Sequence, residues 1–293
     1  GEVVAAGVGQ PDDPLYVFSM HNAYQKIYQA GRKAPWKPAE VHHKRGDKFG
    51  ALNIGVLMGH GPTQPYNLRN GVHEPMLEEL IADPDIIRMA TFQSAAFRLF
   101  MPKLYKRYHG LRQDVERQSH LPHLKWNFAK SVFSAAAFNF GPQTVTAQHR
   151  DCMNLPGGFC AITALGTFDA KLGGQLVIEE LGLVIDFPAG STILLPSAVL
   201  THSNTAIQPG ETRVSFTQYT SGALFRYADN GYRTEKELKQ YNEEQYNDMM
   251  ERKSTRWVRT LALWSKFEDI LEGAKLRLVE TGELVESADS MSM

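Results

Sequence analysis

The side chains with the clearest chemical potential are His149, Asp151, His202 and Arg213, which occur in this order along the sequence. On a β-strand, His149 and Asp151 would point to the same face, because side chains alternate between the two faces. Two imidazoles and one carboxylate make up the facial triad of non-haem Fe(II) oxygenases, which leaves the other metal positions open. The sequence therefore predicts that His149, Asp151 and His202 bind Fe(II) as the catalytic group, with positions left for a co-substrate and O2.

Arg213 is predicted to hold the far carboxylate of 2-oxoglutarate. It opens a predicted strand, and Ser215 lies two residues further on the same face, so both side chains could reach one carboxylate. Asn139 and Asn154 flank the predicted site. We expect Asn139 to orient 2-oxoglutarate and Asn154 to contact the substrate, with ordinary turn positions as the alternative for both.

Each of these residues also has an ordinary explanation. A His-x-Asp tripeptide arises by chance as a surface histidine beside a solvated carboxylate. His202 could be a loop histidine, and Arg213 a charge on an edge strand. Their joint order on successive predicted β elements favours the metal site. Iron is favoured over zinc because zinc prefers mostly His and Cys ligands, and a zinc hydrolase has no use for the carboxylate-binding arginine.

The sequence around these residues changes texture twice. Apolar residues recur at threes and fours over 76–119, which predicts helices divided at Asp83-Pro84. Short β-rich runs separated by Gly and Pro turns then extend to about Tyr227, which is typical of an antiparallel sandwich or barrel. Helix-favouring sequence returns over 234–272. The predicted strands cover 132–140, 144–151, 159–168, 175–181, 183–187, 192–195 and 213–219.

These patterns predict an α+β protein with a double-stranded β-helix core, the jelly-roll or cupin-like arrangement, flanked by N-terminal and C-terminal helices. A helical and loop region over 1–125 is expected to pack on a catalytic core over 126–232. C-terminal helices and a tail should follow over 233–293. The tail from Glu283 to Met293 is Ser- and acid-rich without periodicity and is expected to be frayed.

Composition limits the possible classes of protein. The chain has 293 residues, 43% hydrophobic and 22% charged, so it can bury a full core without disulfides. Its formal net charge of -1 provides no global field for a polyanion, which would have to meet a local basic patch. Cys152 and Cys160 are expected to be buried free thiols. No signal peptide or membrane-spanning run is evident, so we expect an intracellular protein without a membrane partner. A nuclear location and a monomeric state are separate expectations.

Several motifs resemble those of one enzyme family. They are Arg45-Gly46-Asp47, Phe92-Gln93-Ser94-Ala95, Trp126-Asn127-Phe128, Phe138-Asn139-Phe140-Gly141-Pro142, His149-Arg150-Asp151-Cys152-Met153-Asn154, Cys160-Ala161-Ile162-Thr163-Ala164-Leu165-Gly166, the segment 188–197, His202-Ser203-Asn204-Thr205, Gln208-Pro209-Gly210-Glu211, Arg213 and Arg226. Together they resemble the TET/JBP-type Fe(II)/2-oxoglutarate dioxygenases, in particular the fungal branch. The resemblance covers roughly 42–233 and is most specific over 138–219. Cys152 departs from it, because many fungal relatives have an aromatic residue there.

The resemblance implies oxidation of a methylated base in duplex DNA, with 5-methylcytosine as the first candidate and N6-methyladenine as the second. It places His149, Asp151 and His202 on the metal positions and Arg213 on the 2-oxoglutarate position. The base would have to be flipped out of the duplex, which requires cations for the phosphates. We expect these contacts from the basic segment 42–48, through Lys44, Arg45, Asp47 and Lys48.

Three alternatives remain open from the sequence. A second basic segment over 103–117 could also meet phosphates, although a solvated helix face is the simpler explanation for either segment. A hydroxylase of small metabolites would keep the triad and Arg213 but would not need the basic segment 42–48. A catalytically silent DNA-binding module would keep the basic segment and lose iron.

Overall fold

The fold is described from a computed structural model, which covers residues 1–59 and 61–280, without the side chains of His43, Asp47 and 276–280. The tail predicted to be frayed over 283–293 lies outside the described residues. No helix in the described ranges is long and apolar enough to cross a membrane. The strands are β1 Ala6–Gly9, β2 His42–His43, β3 Gly46–Asp47, β4 Ala51–Leu57, β5 Tyr66–Asn67, β6 Ala135–Asn139, β7 Cys160–Thr167, β8 Leu176–Ile178, β9 Leu183–Ile185, β10 Thr192–Leu195, β11 His202–Asn204 and β12 Thr212–Tyr219.

Helices occupy both ends of the chain. They are α1 Pro14–Lys33, α2 Pro38–Val41, α3 Glu74–Ala82, α4 Pro84–Phe100, α5 Pro102–Glu116, α6 Gly222–Asp229, α7 Glu235–Tyr241, α8 Glu243–Leu261 and α9 Phe267–Glu280. The predicted break at Asp83-Pro84 is confirmed, because Asp83 caps α4 by accepting hydrogen bonds from the Asp85 and Ile86 amides. A second break, where Pro102 starts α5, divides the remaining helical stretch and was not predicted.

Two antiparallel sheets form the centre of the fold. The larger has the order β1-β10-β7-β12-β6-β4-β5, and the smaller has the order β11-β8-β9. Strands distant in sequence lie side by side, as in β7 beside both β10 and β12, which is the pattern of a jelly roll. The larger sheet also takes β1 and β4 from the first 125 residues, a region expected to hold only helices and loops.

Alternation along the central strands separates a helix-facing core from a site-facing surface. On β12, Val214 and Phe216 are fully buried in an apolar cluster with side chains of α1, α3 and α4. The intervening residues Arg213, Ser215 and Thr217 line a cavity on the opposite face. Another apolar cluster, which includes residues of β7, β8 and β10, fills the space between the two sheets beside that cavity.

The segment 144–151, predicted to be a regular strand, is irregular. Its amides bond in turn to carbonyls of different segments: Thr144 to Arg213 at 3.1 Å, Ala147 to Arg45, and Asp151 to Ser197 at 2.8 Å. Since a strand needs one continuous partner, this segment cannot keep a ladder. The expectation that strand alternation aligns His149 with Asp151 is therefore wrong, and another arrangement brings the two side chains together.

Candidate metal centre and its cavity

His149 and His202 are brought together by a two-residue bridge between the segment 144–151 and β11. The His149 amide donates to the His202 carbonyl at 3.1 Å, and the His202 amide donates to the His149 carbonyl at 3.0 Å. The two imidazole ring centres lie 4.3 Å apart. The Asp151 carboxylate joins them, and one ligand atom from each of the three residues lies within 4.8 Å of the other two. The predicted triad therefore converges on one point.

Backbone carbonyls orient both imidazoles for metal binding. His149 Nδ1 lies 2.8 Å from the Ala147 carbonyl, and His202 Nδ1 lies 3.0 Å from the Leu200 carbonyl. Since a carbonyl only accepts, each Nδ1 carries the hydrogen, and each Nε2 keeps a free lone pair. Burial, and then the neighbouring His202, lower the pKa of His149, which favours the neutral ring that a metal requires.

The Asp151 carboxylate forms an ion pair with Arg45 but receives no hydrogen bond at its buried oxygen Oδ1. Arg45 Nη2 lies 2.8 Å from Asp151 Oδ1, in an ion pair whose arginine side chain is 52% exposed. This contact lacks the alignment of a hydrogen bond, because Oδ1 is buried and has no hydrogen-bond partner. His149 Nε2 lies 3.9 Å from the same oxygen. A buried oxygen without a hydrogen bond, facing two imidazole lone pairs, fits a divalent metal.

Polar contacts made by two side chains, Arg150 and Asn204, hold together the two segments that carry the ligands. Arg150 donates to Thr201 Oγ1 at 2.8 Å and pairs with Glu180 Oε1 at 2.6 Å. The Thr201 hydroxyl is the main reason that the pKa of Glu180 falls to about 2. Asn204, buried in β11, accepts from the Thr146 amide at 2.9 Å and donates to the Thr144 carbonyl at 3.1 Å. These contacts fix the irregular segment beside β11, and sequence reasoning did not assign them.

Arg213 is a buried cation facing the same cavity. It is 3% exposed, and among the described residues its guanidinium makes one hydrogen bond, from Nη1 to the Thr144 carbonyl at 3.2 Å. Its Nε has no partner, and no acidic side chain pairs with it in the part of the chain that the structure describes. The Phe168 ring lies 5.9 Å from the guanidinium. Burial lowers the pKa of Arg213 to about 10, so the charge is held at a cost that an anionic ligand would remove.

Ser215 and Asn139 lie beside Arg213 on paired strands. They are directly opposite each other in the register of β12 with β6, and Asn139 Nδ2 donates to Ser215 Oγ at 2.8 Å. Because the serine oxygen accepts from Asn139, its hydroxyl hydrogen is left to donate to a ligand. Both side chains line the cavity that contains the triad and Arg213.

The cavity has a volume of about 630 Å³. Of the residues expected to contact the substrate, Lys44, Arg45 and Asn154 line it, whereas Lys48 does not. The side chain of Asp47 lies outside the described residues. Asn154 Nδ2 donates to Ser197 Oγ at 3.0 Å, which leaves its side-chain oxygen available as an acceptor.

Tyrosine and sulfur side chains also line the cavity. Tyr219 donates to Asn53 Oδ1 at 3.0 Å, and Tyr66 lies at the same wall. Sequence reasoning missed these residues, although the alternation of β12 after Arg213 and Ser215 would have pointed to Tyr219. Cys152 is exposed, so the expectation that it is buried was wrong, while Cys160 is buried and both thiols are free.

The second basic segment, 103–117, forms part of α5 and does not line this cavity. Arg107 pairs with Asp229, Arg112 with Glu116, and Arg117 with Asp114. Its arginines are therefore engaged within the protein.

Comparison with known proteins identifies the fold. No protein-family model matches the sequence, and no curated protein matches it. Among solved structures, the chain is similar to NgTET1 in complex with 5mC DNA, with a TM-score of 0.52 and 11% identity over 76% of this chain and 74% of that one. The expected double-stranded β-helix is thereby confirmed.

Two further solved structures match at lower TM-scores. One is an oxidoreductase of the 2OG-Fe(II) oxygenase family from Burkholderia pseudomallei, at 0.34 with 15% identity over 67% of this chain and 77% of that one. The other is the viral collagen prolyl hydroxylase from Paramecium Bursaria Chlorella virus-1 in its 2OG complex, at 0.35 with 12% identity over 74% and 94%.

Proposed function

We propose that this chain is an Fe(II)- and 2-oxoglutarate-dependent dioxygenase that oxidises methylated bases in DNA. The proposal depends on one observation, which is that a possible metal triad and a buried arginine lie in the same cavity. Three side chains that fit a facial triad converge at one point, and Arg213, a buried cation with no acidic partner among the described residues, lines the cavity around them. A hydrolytic zinc site would have no need for the second feature.

The proposed metal ligands are His149 Nε2, His202 Nε2 and the Asp151 carboxylate. The carbonyls of Ala147 and Leu200 keep the two rings in the tautomer that leaves Nε2 free. When bound together, Fe(II), 2-oxoglutarate and O2 supply oxidation of a C–H bond coupled to decarboxylation of the keto acid to succinate.

Positioning of 2-oxoglutarate is the task proposed for Arg213 and Ser215. The guanidinium would pair with the carboxylate remote from the metal, and the Ser215 hydroxyl would donate to it. Asn139 holds Ser215 in place, so it acts on the ligand through that contact. Ile162, Leu176 and Phe187 line the same cavity and would exclude water from the reacting groups.

The substrate proposal is supported by the rim of the cavity. Lys44 and Arg45 lie there as cations for phosphates, and Asn154 offers an acceptor to a base edge. The solved structure that shares the fold at a TM-score of 0.52 was determined with 5mC DNA, which makes 5-methylcytosine the first candidate. The base would enter by flipping out of the duplex. Such a substrate agrees with the expected nuclear location.

The test is a turnover assay on three matched duplex oligonucleotides, carrying 5-methylcytosine, N6-methyladenine or no modification, with Fe(II) and 2-oxoglutarate. The modified bases are measured by mass spectrometry, and the succinate formed is measured in the same reactions. We expect oxidised base and DNA-stimulated succinate from a methylated duplex. Succinate formed without stimulation by any of the duplexes would instead favour a small-metabolite hydroxylase. Wild-type protein that binds DNA but neither iron nor 2-oxoglutarate would indicate a silent binding module.

Lys44 provides the cleaner test of DNA binding at the rim. Arg45 contacts Asp151, so reversing its charge would disturb the proposed metal ligand as well as any phosphate contact. Lys44→Glu should lower DNA affinity in a salt-dependent manner, and Lys130→Glu, on an exposed position outside the cavity, is the matched control. Equal DNA affinity in the two variants would remove this segment from the proposed binding surface.

A further inference from the structure

A second cavity, of about 660 Å³, lies between α5, α6, α7 and α8 and belongs to no part of the site described above. Its lining is strongly basic. It contains two aspartates, Asp229 and Asp248, and five arginines: Arg107, Arg226, Arg252, Arg256 and Arg259. We call it the arginine cleft. The chain as a whole is nearly neutral, so this charge is a local concentration.

The aspartates neutralise only part of the cleft. Arg107 pairs with Asp229, and Arg252 lies 3.2 Å from Asp248. The other three arginines, Arg226, Arg256 and Arg259, have no acidic partner among the side chains that the structure describes. Three guanidinium groups therefore line one concave space without counter-ions, which raises the local concentration of anions.

Their spacing concentrates the charge on one side of α8. Arg252, Arg256 and Arg259 are separated by four and three residues, so they lie on one face of the helix. Like charges at these spacings repel and destabilise an isolated helix. Arg252 and Arg259 are exposed and Arg256 is half-buried, and all three line the same cavity.

The cleft also offers a polar group that the protein leaves unsatisfied. Asn230, at the end of α6, lines the cleft and is 5% exposed, and its Oδ1 has no hydrogen-bond partner. A rotation of the side-chain amide by about 180° swaps its oxygen and nitrogen, so Asn230 can either accept or donate a hydrogen bond at this position. Apolar side chains, including Phe225, Met249 and Leu263, complete the walls. An arginine cluster with a buried amide and an apolar wall matches a phosphate carried on an organic residue.

The arginine cleft adjoins the metal cavity. Asn154 and Ser221 line the metal cavity and are joined by an isolated β-bridge. The next residue of each segment, Leu155 and Gly222, lines the arginine cleft. The two cavities thus lie on either side of the same pair of backbone segments.

We propose that the arginine cleft binds a backbone phosphate of the DNA strand whose base enters the metal cavity. Phosphates repeat along a strand, so a base held at Asn154 leaves neighbouring phosphates near the shared wall, where unpaired guanidinium groups would attract them. The inference rests on the proposed DNA substrate and adds to it a contact surface formed by α6 and α8. The same chemistry would admit a free nucleotide, which the experiment distinguishes.

The test compares two double variants of full-length protein that change the net charge equally. Arg256→Glu/Arg259→Glu reverses the cleft, and Arg98→Glu/Lys130→Glu reverses two exposed positions that line neither cavity. Affinity for a methylated duplex is measured by fluorescence anisotropy at several salt concentrations, and for dCMP by calorimetry. Thermal unfolding checks that both variants fold. Arg256→Gln/Arg259→Gln replaces the reversal if it does not fold.

We expect the cleft variant to bind duplex at least tenfold more weakly than the control. Its plot of log affinity against log salt should be shallower by about one to two, since each lost phosphate contact removes about 0.9. Equal losses in both double variants would overturn the site, because they would reflect net charge alone. Binding of dCMP that is lost in the cleft variant while duplex affinity is kept would overturn the strand assignment in favour of a free nucleotide.

These outcomes are separable from failure of the proposed function. If no base is oxidised but the cleft variant alone loses duplex binding, the dioxygenase proposal fails and the phosphate site stands. If methylated base is oxidised and the cleft variant binds duplex like wild type, the proposed function stands and this inference is wrong.

Discussion

Replacing Arg213 with Met should stabilise the ligand-free protein and abolish its response to 2-oxoglutarate. Methionine has a similar length and no charge, so it removes the cost of burying a guanidinium that is 3% exposed and makes a single hydrogen bond. That burial lowers the pKa of Arg213 from its ordinary value to about 10. This difference corresponds to about 3 kcal/mol of free energy against the charged form.

The sign follows from proton linkage. Because the folded pKa lies below the unfolded one, the unfolded chain binds the proton more tightly, and the penalty is fully present at neutral pH. It would be relieved only as pH rises above about 10. Loss of the bond to the Thr144 carbonyl offsets about 1 kcal/mol of the gain. We therefore expect Arg213→Met to raise the free energy of unfolding by about 1–2 kcal/mol.

The effect on ligand binding has the opposite sign. Removing one partner of a buried charge pair costs about 3–5 kcal/mol, so affinity for 2-oxoglutarate should fall by a factor on the order of 100 or more. Urea unfolding without ligand measures the first effect, and anaerobic calorimetry with Fe(II) and 2-oxoglutarate measures the second. A variant that is less stable without ligand, yet binds 2-oxoglutarate like wild type, would show that Arg213 is a structural residue.

Three further predictions concern the framework of the site. Burial raises the pKa of Cys160 to about 12, so a thiol reagent at pH 8 should modify the exposed Cys152 rapidly and Cys160 only in denaturant. Rapid modification of both thiols in the native protein would contradict the burial of Cys160. Asn204→Ala should cost about 1–3 kcal/mol of unfolding free energy and weaken Fe(II) binding, because it leaves the Thr146 amide unpaired and removes one of the two donors to the Thr144 carbonyl, which keeps its contact with Arg213. Ser203→Ala should change neither quantity, and equal effects of the two substitutions would rule out the bracing role. Asp83→Ala, which removes the cap of α4, should lower the free energy of unfolding by about 1 kcal/mol without changing Fe(II) affinity, and an unchanged urea midpoint would show that the cap contributes nothing.

The sequence was sufficient to identify the main residues of the site. The order His149, Asp151, His202 and Arg213 predicted a convergence that the structure contains, and alternation on β12 correctly placed Ser215 on the face of Arg213. Pairing of β12 with β6 also brought Asn139 next to Ser215. The position of Ser215 follows from strand periodicity, which a single sequence displays, whereas the Asn139–Ser215 contact and the meeting of His149 with Asp151 depend on segments that are distant in sequence.

Features that depend on distant contacts were not predictable in the same way. The segment 144–151 alternates like a strand, but its amides bond to three other parts of the chain, and no local pattern records this competition. Strands β1 and β4 join the larger sheet from the N-terminal region for the same reason. Exposure of Cys152 follows from the irregular path of the chain after Asp151. The arginine cleft requires α6 and α8 to line one cavity, which helical periodicity alone does not specify.

The most direct test of the central claim is the stoichiometry of anaerobic binding, measured with Fe(II) alone and then with 2-oxoglutarate. We predict one Fe(II) and one 2-oxoglutarate per wild-type chain, neither tightly bound in Asp151→Ala, and iron without 2-oxoglutarate in Arg213→Met. Full binding of iron by Asp151→Ala, or binding of 2-oxoglutarate that does not depend on iron, would contradict the convergence of these residues on one metal.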